Sequence, residues 1–182
     1  MNNTLQEFDT IISFCKDMFV KKMHDYGTAW RILRLPSITD QIYIKAQRIR
    51  SIEEKKTSKV DEDINSEFIG IVNYALMAQI QLSQTPKSME DCFISHEEVI
   101  LLYDQYAQNA KDLLANKNHD YDEAWRNMRV SSITDIILMK ILRIKQIEDN
   151  QQKTLVSEGL DANYYDIFNY AVFALIKLTQ KQ

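Results

Sequence analysis

The sequence predicts an all-α protein, a pseudo-twofold helical bundle made from two tandem three-helix units. Three observations predict it: scarce turn-forming residues, apolar residues at helical spacing, and an internal repeat. The 182 residues include three Gly and two Pro, too few for a strand-and-turn architecture, which consumes both types. Hydrophobic residues make up 45% and charged residues 26%, enough for a core beneath an ordinary polar surface.

The repeat is read by pairing positions at an offset of 119 − 24 = 95, as in His24/His119, Asp25/Asp120, Tyr26/Tyr121, Trp30/Trp125, Arg31/Arg126 and Arg34/Arg129. The same offset pairs Ser37/Ser132, Thr39/Thr134, Asp40/Asp135, Lys45/Lys140, Arg48/Arg143 and Glu53/Glu148. One extra residue in the second copy then moves it to 169 − 73 = 96, pairing Asn73/Asn169 and Tyr74/Tyr170. Self-similarity over this length marks a duplicated structural unit. Residues 1–84 form the first unit, 85–93 a polar linker and 94–182 the second. Each unit alone would expose a broad apolar face, so the two are expected to pack as one compact bundle.

Within each unit the elements follow in order. Phe8, Ile11, Cys15, Met18 and Lys22 step at helical intervals, as do Val99, Tyr103, Tyr106, Ala110, Leu113 and Lys117, which predicts an amphipathic first helix. A His-Asp-Tyr-x-x-Ala-Trp-Arg connection follows. Ser37–Asp40 and Ser132–Asp135 have the spacing of a capping box and predict the start of the second helix. A third helix is predicted from about Phe68 to Leu82 and from about Tyr165 to Leu178.

Net charge −4 and pI ≈ 5.4 argue against non-specific nucleic-acid binding, which runs on surplus Lys and Arg. Cys15 and Cys92 form no metal-spaced pair and fit a reducing compartment. The N-terminus lacks a signal-peptide pattern and no apolar run reaches membrane-span length. A cytoplasmic protein with no membrane partner is expected, and self-association into a homo-oligomer is compatible with it.

Ile38, Ile42, Lys45, Ile49 and Ile52 step by 4, 3, 4 and 3 residues, which puts Lys45 at the centre of an apolar stripe. Lys140 repeats it. A buried ammonium without a partner costs several kcal/mol, so an anion is expected beside each lysine. One candidate is the phosphate or carboxylate of a ligand, held by Lys45 with Arg48 and by Lys140 with Arg143. A second is an internal acid: Asp25, Glu53 or one from the opposite unit. The third alternative is that the lysine snorkels past the isoleucines to solvent and needs no partner. Arg31, Arg34, Asp25, Tyr26 and Trp30 lie close enough in sequence to join a ligand site, as do Arg126, Arg129, Asp120, Tyr121 and Trp125.

His24-Asp25 and His119-Asp120 lack the further ligands a metal site requires and read better as fixing the connection. The tryptophans read as core anchors, with base stacking as the alternative. Asp40 and Asp135 fit caps. Acids gather after each second helix: Glu53, Glu54, Asp61, Glu62, Asp63 and Glu67, then Glu148, Asp149, Glu158, Asp161 and Asp166. Magnesium-dependent chemistry would need some of them to converge. They differ between copies, with Asp166 at the position of Gly70 and Asn163 at that of Glu67, so most read as a solvated connection.

The block Asp25-Tyr26-Gly27, Trp30-Arg31, Ser37-Ile38-Thr39-Asp40, Lys45, Arg48-Ile49 and Glu53, followed by Phe68 to Ala75, resembles the nucleotide modification associated domain 1 family. The second copy matches with Asp122 for Gly27 and Tyr165-Asp166 for Ile69-Gly70. The resemblance covers most of both halves. It implies a small helical protein of modified-nucleotide metabolism, and a phosphate-bearing partner. All-α nucleoside triphosphate pyrophosphatases carry paired Glu-x-x-Glu and Glu-x-x-Asp motifs; here Glu158 to Asp161 is the single match. The expected function is nucleotide binding or processing. The alternatives are a magnesium-dependent nucleotide pyrophosphohydrolase and a non-catalytic protein-interaction module.

Overall fold

The computed structural model describes residues 3–56 and 63–180, so Asp61 and Glu62 lie outside the described residues. Those residues form six α-helices and no strand. The first unit supplies α1 (Thr4–Tyr26), α2 (Leu35–Lys55) and α3 (Ile64–Ser83); the second supplies α4 (His96–Tyr121), α5 (Val130–Asp149) and α6 (Leu160–Thr179). A short 3-10 turn joins the first two helices of each unit, Ala29–Ile32 and Ala124–Asn127, and a third, Glu90–Cys92, lies between the units.

The first helix of each unit ends where the backbone turns left-handed. Gly27 has φ 62° and donates its N–H to the Met23 carbonyl at 2.8 Å. The second unit reaches a similar break with Asp122 at φ 47° and Glu123 at φ 55°, conformations that L side chains adopt at some cost. The second helix starts earlier than the expected capping box. Arg34 and Arg129 are its extended cap residues, and Pro36 sits in the first turn of α2, where its fixed φ and missing N–H suit a helix start. Ser37, Asp40, Ser132 and Asp135 therefore lie inside helices and cap nothing.

The buried stripes also drift from the expected ones. On α1 the buried residues are Thr4, Phe8, Ile11, Cys15, Phe19 and Met23; on α4 they are Val99, Tyr103, Ala107, Ala110, Leu114 and Asn118. A straight helix has 3.6 residues per turn, so a seam spaced at 3.5 falls behind by one position over a few turns. Lys22, Lys117 and Leu113 are thereby turned outward. The stripe of α2 runs through Ile38, Thr39, Ile42, Ala46 and Ile49, which leaves Lys45 on its shoulder, not at its centre.

A single apolar cluster runs through both units. Within each unit the second helix packs on the third, and across the units α3 packs on α6 and α2 on α5. Reciprocal polar contacts show the twofold relation. Lys16 meets Asp104 at 2.6 Å and Lys111 meets Asp9 at 2.7 Å. Asp40 takes Lys145 at 2.5 Å, while Asp135 faces Arg50 at 3.8 Å. The Thr39 hydroxyl donates to Glu148 at 2.9 Å and that of Thr134 to Glu53 at 3.0 Å. In each case residue i meets j and their repeat partners meet the other way round, as an isologous interface requires.

One contact breaks the symmetry. Tyr103 donates its hydroxyl to the side-chain amide oxygen of Asn73 at 3.0 Å, but the counterpart of Tyr103 is Phe8. The Asn169 side-chain oxygen is consequently buried with no partner. Removing the Tyr103 hydroxyl strands Asn73 in the same way, so Tyr103→Phe is expected to cost about 1–3 kcal/mol in urea denaturation. Burial pushes the carboxyls of Glu53 and Glu148 above their ordinary range, against the hydroxyls of Thr134 and Thr39 that pull them down. The folded state then holds these protons more tightly than the unfolded chain, so both groups lower stability as pH rises through the window above the ordinary carboxylate pKa. Glu148→Gln keeps the acceptor oxygen without the charge. Its thermal midpoint is expected to exceed that of the native chain at pH 7 and to match it near pH 4.

Candidate functional site

The lysines of the second helices do have carboxylate partners, and these come from the third helices, not from Asp25, Glu53 or the opposite unit. In the first unit the acid is Glu67, on the first turn of α3, with its side chain 5% exposed. It receives a short ion pair from Arg48 and a longer one from Lys45, at 3.4 Å. In the second unit the acid is Asp166, one turn further along α6. It takes Lys140 at 2.5 Å and Lys117 at 2.6 Å. Burial pushes the Asp166 carboxyl up, but the two ammonium groups outweigh it and hold the pKa below the ordinary value. Burial likewise lowers Lys117, and its bond to Asp166 more than restores it. Glu67 and Asp166 thus leave the solvated connection that their positions suggest.

At position 70 the first unit has glycine. The side chain of Lys45 lies across it: a Cβ built on Gly70 would come within 2.6 Å of Lys45 Cε and 2.7 Å of Cδ. No side chain can occupy this position unless Lys45 moves. Without a carboxylate there, a hollow of about 610 Å³ opens, with Lys22 and Lys45 on its wall. These two lysines are the counterparts of Lys117 and Lys140. The wall also carries Tyr26, Trp30, Asn73 and Tyr74, and methionines including Met77. The Lys45 ammonium stands 6.0 Å from the centre of the Tyr74 ring.

The same region of the second unit is filled from within. Phe173, the counterpart of Met77, stacks on Trp125 with ring centres 4.3 Å apart and planes 3° from parallel, and Tyr170 meets Phe173 edge-on. Trp125 is accordingly buried, whereas Trp30 is half-buried beside open space. The core-anchor reading describes Trp125 better than Trp30.

The remaining residues singled out in the sequence divide clearly. Arg31 is buried and donates to the Gln81 side chain at 2.9 Å and the Gln84 carbonyl at 2.6 Å. Its repeat partner Arg126 bonds Glu7 and Glu123 at 2.6 Å each, with the Thr4 hydroxyl at 2.9 Å. Both arginines tie the connections to the bundle. Arg48 faces Glu67 and not the hollow. Arg34, Arg129 and Arg143 are exposed. His24-Asp25 and His119-Asp120 are exposed pairs in which the ring Nδ1 lies 3.6 and 3.2 Å from the neighbouring carboxylate. These solvent-facing side chains do not tie the connection to the bundle; the chain turns there through the left-handed backbone break. Tyr26 and Tyr121 are exposed, and Tyr26 borders the hollow. Asp63 caps α3 through the Ser66 N–H at 2.9 Å, and Asp161 lies in the first turn of α6. Among the described residues, no three His, Cys, Asp or Glu side chains converge for a metal ion, and no helix is long and apolar enough to cross a membrane.

The family model for nucleotide modification associated domain 1 matches residues 22–82 and again residues 117–178. The chain belongs to this family. Two matches in one chain agree with the tandem repeat, and each begins at the lysine, 22 or 117, that faces the position-70 or position-166 site. No curated protein and no solved structure matches the chain.

Lys22 and Met77 were not legible as site residues. Lys22 reads as a stripe member until helical drift turns it outward, and Met77 gains meaning only beside Phe173. Truncating the buried carboxylate, Asp166→Ala, leaves two ammonium groups without their counter-charge. We expect a loss of about 3 kcal/mol at pH 7 in urea denaturation. Because the folded-state pKa of Asp166 is depressed, the difference should fade as pH falls through and below the carboxylate range.

Proposed function

We propose that this protein binds one phosphorylated nucleoside per chain, in the hollow of the first unit. The observation that carries the reading is the exchange at one aligned position. Where the second unit places the Asp166 carboxylate against Lys117 and Lys140, the first has Gly70, with Lys22 and Lys45 on the wall of the hollow and Lys45 in loose contact with Glu67 at 3.4 Å. An anionic group of a ligand takes the place that the carboxylate fills in the other copy. A hollow of about 610 Å³ falls within the range of small-molecule sites. Trp30, Tyr26 and Tyr74 supply faces for a base, while the lysines act as point charges toward phosphate. Family membership favours a nucleotide over other anions.

The proposal is for binding, without a metal-dependent step. The second unit answers instead to the description of a non-catalytic module, since its lysines are neutralised internally and its aromatic rings stack on each other.

Isothermal titration of the full chain with a nucleoside, its monophosphate and its triphosphate, with and without magnesium, tests the reading. Binding of a phosphorylated form at one site per chain is expected, with the free nucleoside at least tenfold weaker. Gly70→Asp should abolish it: the new carboxylate occupies the anion's place and displaces Lys45. The fold should survive, because α6 already carries aspartate here and the side chain that must move is flexible. A phosphorylated nucleoside that binds Gly70→Asp as well as the native chain would place the site elsewhere, and failure of every form to bind would end the proposal.

A further inference from the structure

The acid on the third helix has changed position between the units, and the exchange has a second consequence. In the first unit Glu67 receives Arg48. Its counterpart in the second unit is Asn163, which is neutral, 4% exposed, and donates its amide to the Gly159 carbonyl at 2.8 Å. Arg143, the counterpart of Arg48, consequently has no carboxylate waiting on α6. Each unit thus meets one of its two cationic positions closely from within, position 48 in the first and position 140 in the second. The other is held at the longer distance of 3.4 Å in the case of Lys45, and by no acid of α6 in the case of Arg143.

Arg143 opens onto a groove of about 680 Å³ between the end of α5 and the 150–159 segment. That segment is folded back by hydrogen bonds. Gln152 donates its N–H to the Ile147 carbonyl at 2.8 Å, and the Asn150 amide donates to the Lys153 carbonyl at 2.9 Å. The turn passes through two successive left-handed residues, Gln151 at φ 53° and Gln152 at φ 62°, and delivers Lys153 to the same groove. Asn150, Ser157 and Asn163 add neutral polar groups, and Glu158 is the single acid on this wall.

We propose that this groove is a second anion site, chemically distinct from the first-unit hollow, and that it takes the phosphate group of a small molecule on Arg143 and Lys153. A guanidinium offers paired N–H donors to two oxygens of one phosphate, and the ammonium adds a point charge. The Arg48–Glu67 pair of the first unit is the internal version of the contact, with a carboxylate in place of the phosphate. The site does not depend on what the first-unit hollow binds.

Titration of the full chain with inorganic pyrophosphate in the Gly70→Asp background, where the first hollow is closed, isolates it. Lys45→Met provides a second background, in which the hollow stays open but loses one of its two ammonium groups and the backbone is unchanged. Pyrophosphate is expected to bind both, and Arg143→Gln added to either should weaken it at least tenfold, with Lys153→Gln weakening it less. Arg143 is exposed, so its substitution leaves the fold in place. Absence of pyrophosphate binding in both backgrounds overturns this inference and leaves the nucleotide reading standing. Binding that Arg143→Gln does not alter also overturns it. Nucleotide binding that fails in the native chain while pyrophosphate binding persists and requires Arg143 removes the first reading alone.

Discussion

A cationic side chain laid along an apolar helix face must be met by negative charge, because an ammonium or guanidinium withdrawn from water is otherwise costly. Both second helices carry cationic groups at two positions one turn apart, half-buried at 45, 48 and 140 and exposed at 143. Each third helix provides one buried carboxylate. In the first unit it stands at 67, close to Arg48 and in looser contact with Lys45; in the second it stands at 166, between two lysines. The shift by one helical turn decides which cation is met closely within the fold and which is met loosely or by no acid of the third helix. The two copies share a backbone plan and differ in where they can accept an anion.

The plan itself is held by the twofold interface. The second and third helices of the two units face their own counterparts, and the core is continuous across them. The threonines at 39 and 134 enter this core with their hydroxyls directed at glutamates of the opposite unit. Such a contact binds the units more specifically than apolar packing alone, because each glutamate is half-buried and the hydroxyl replaces part of its water. Where the symmetry lapses, as at Phe8 and Tyr103, a buried acceptor is left without a donor. The two copies differ at such positions, and one hollow is filled while its counterpart is open.

Much of the fold is legible in the order of the residues. The repeat offset, the helix count and the three-helix unit follow from apolar spacing and scarce Gly and Pro, which are properties of the chain taken locally. The helix starts are less legible: Pro36 begins α2 ahead of a serine-to-acid spacing that looks like a cap. The stripes of α1 and α4 are placed correctly by periodicity at their N-terminal ends and lost by one position toward their C-terminal ends. A helix of this length accumulates the difference between 3.5 and 3.6 residues per turn.

By itself the sequence determined a duplicated all-α chain whose second helices each carry a lysine that requires an anion. It also recorded the substitutions that matter, Gly70 for Asp166 and Glu67 for Asn163, without ranking them above the other differences among the acids. Only the tertiary structure decided that Glu67 and Asp166 are the partners. Pairing across helices depends on their separation and rotation, which no single-helix periodicity encodes. It decided likewise that Trp125 is stacked shut by Phe173 while Trp30 borders a hollow. An open space is a property of several helices at once: it appears where side chains from α1, α2, α3 and the turn between the first two stop short of one another.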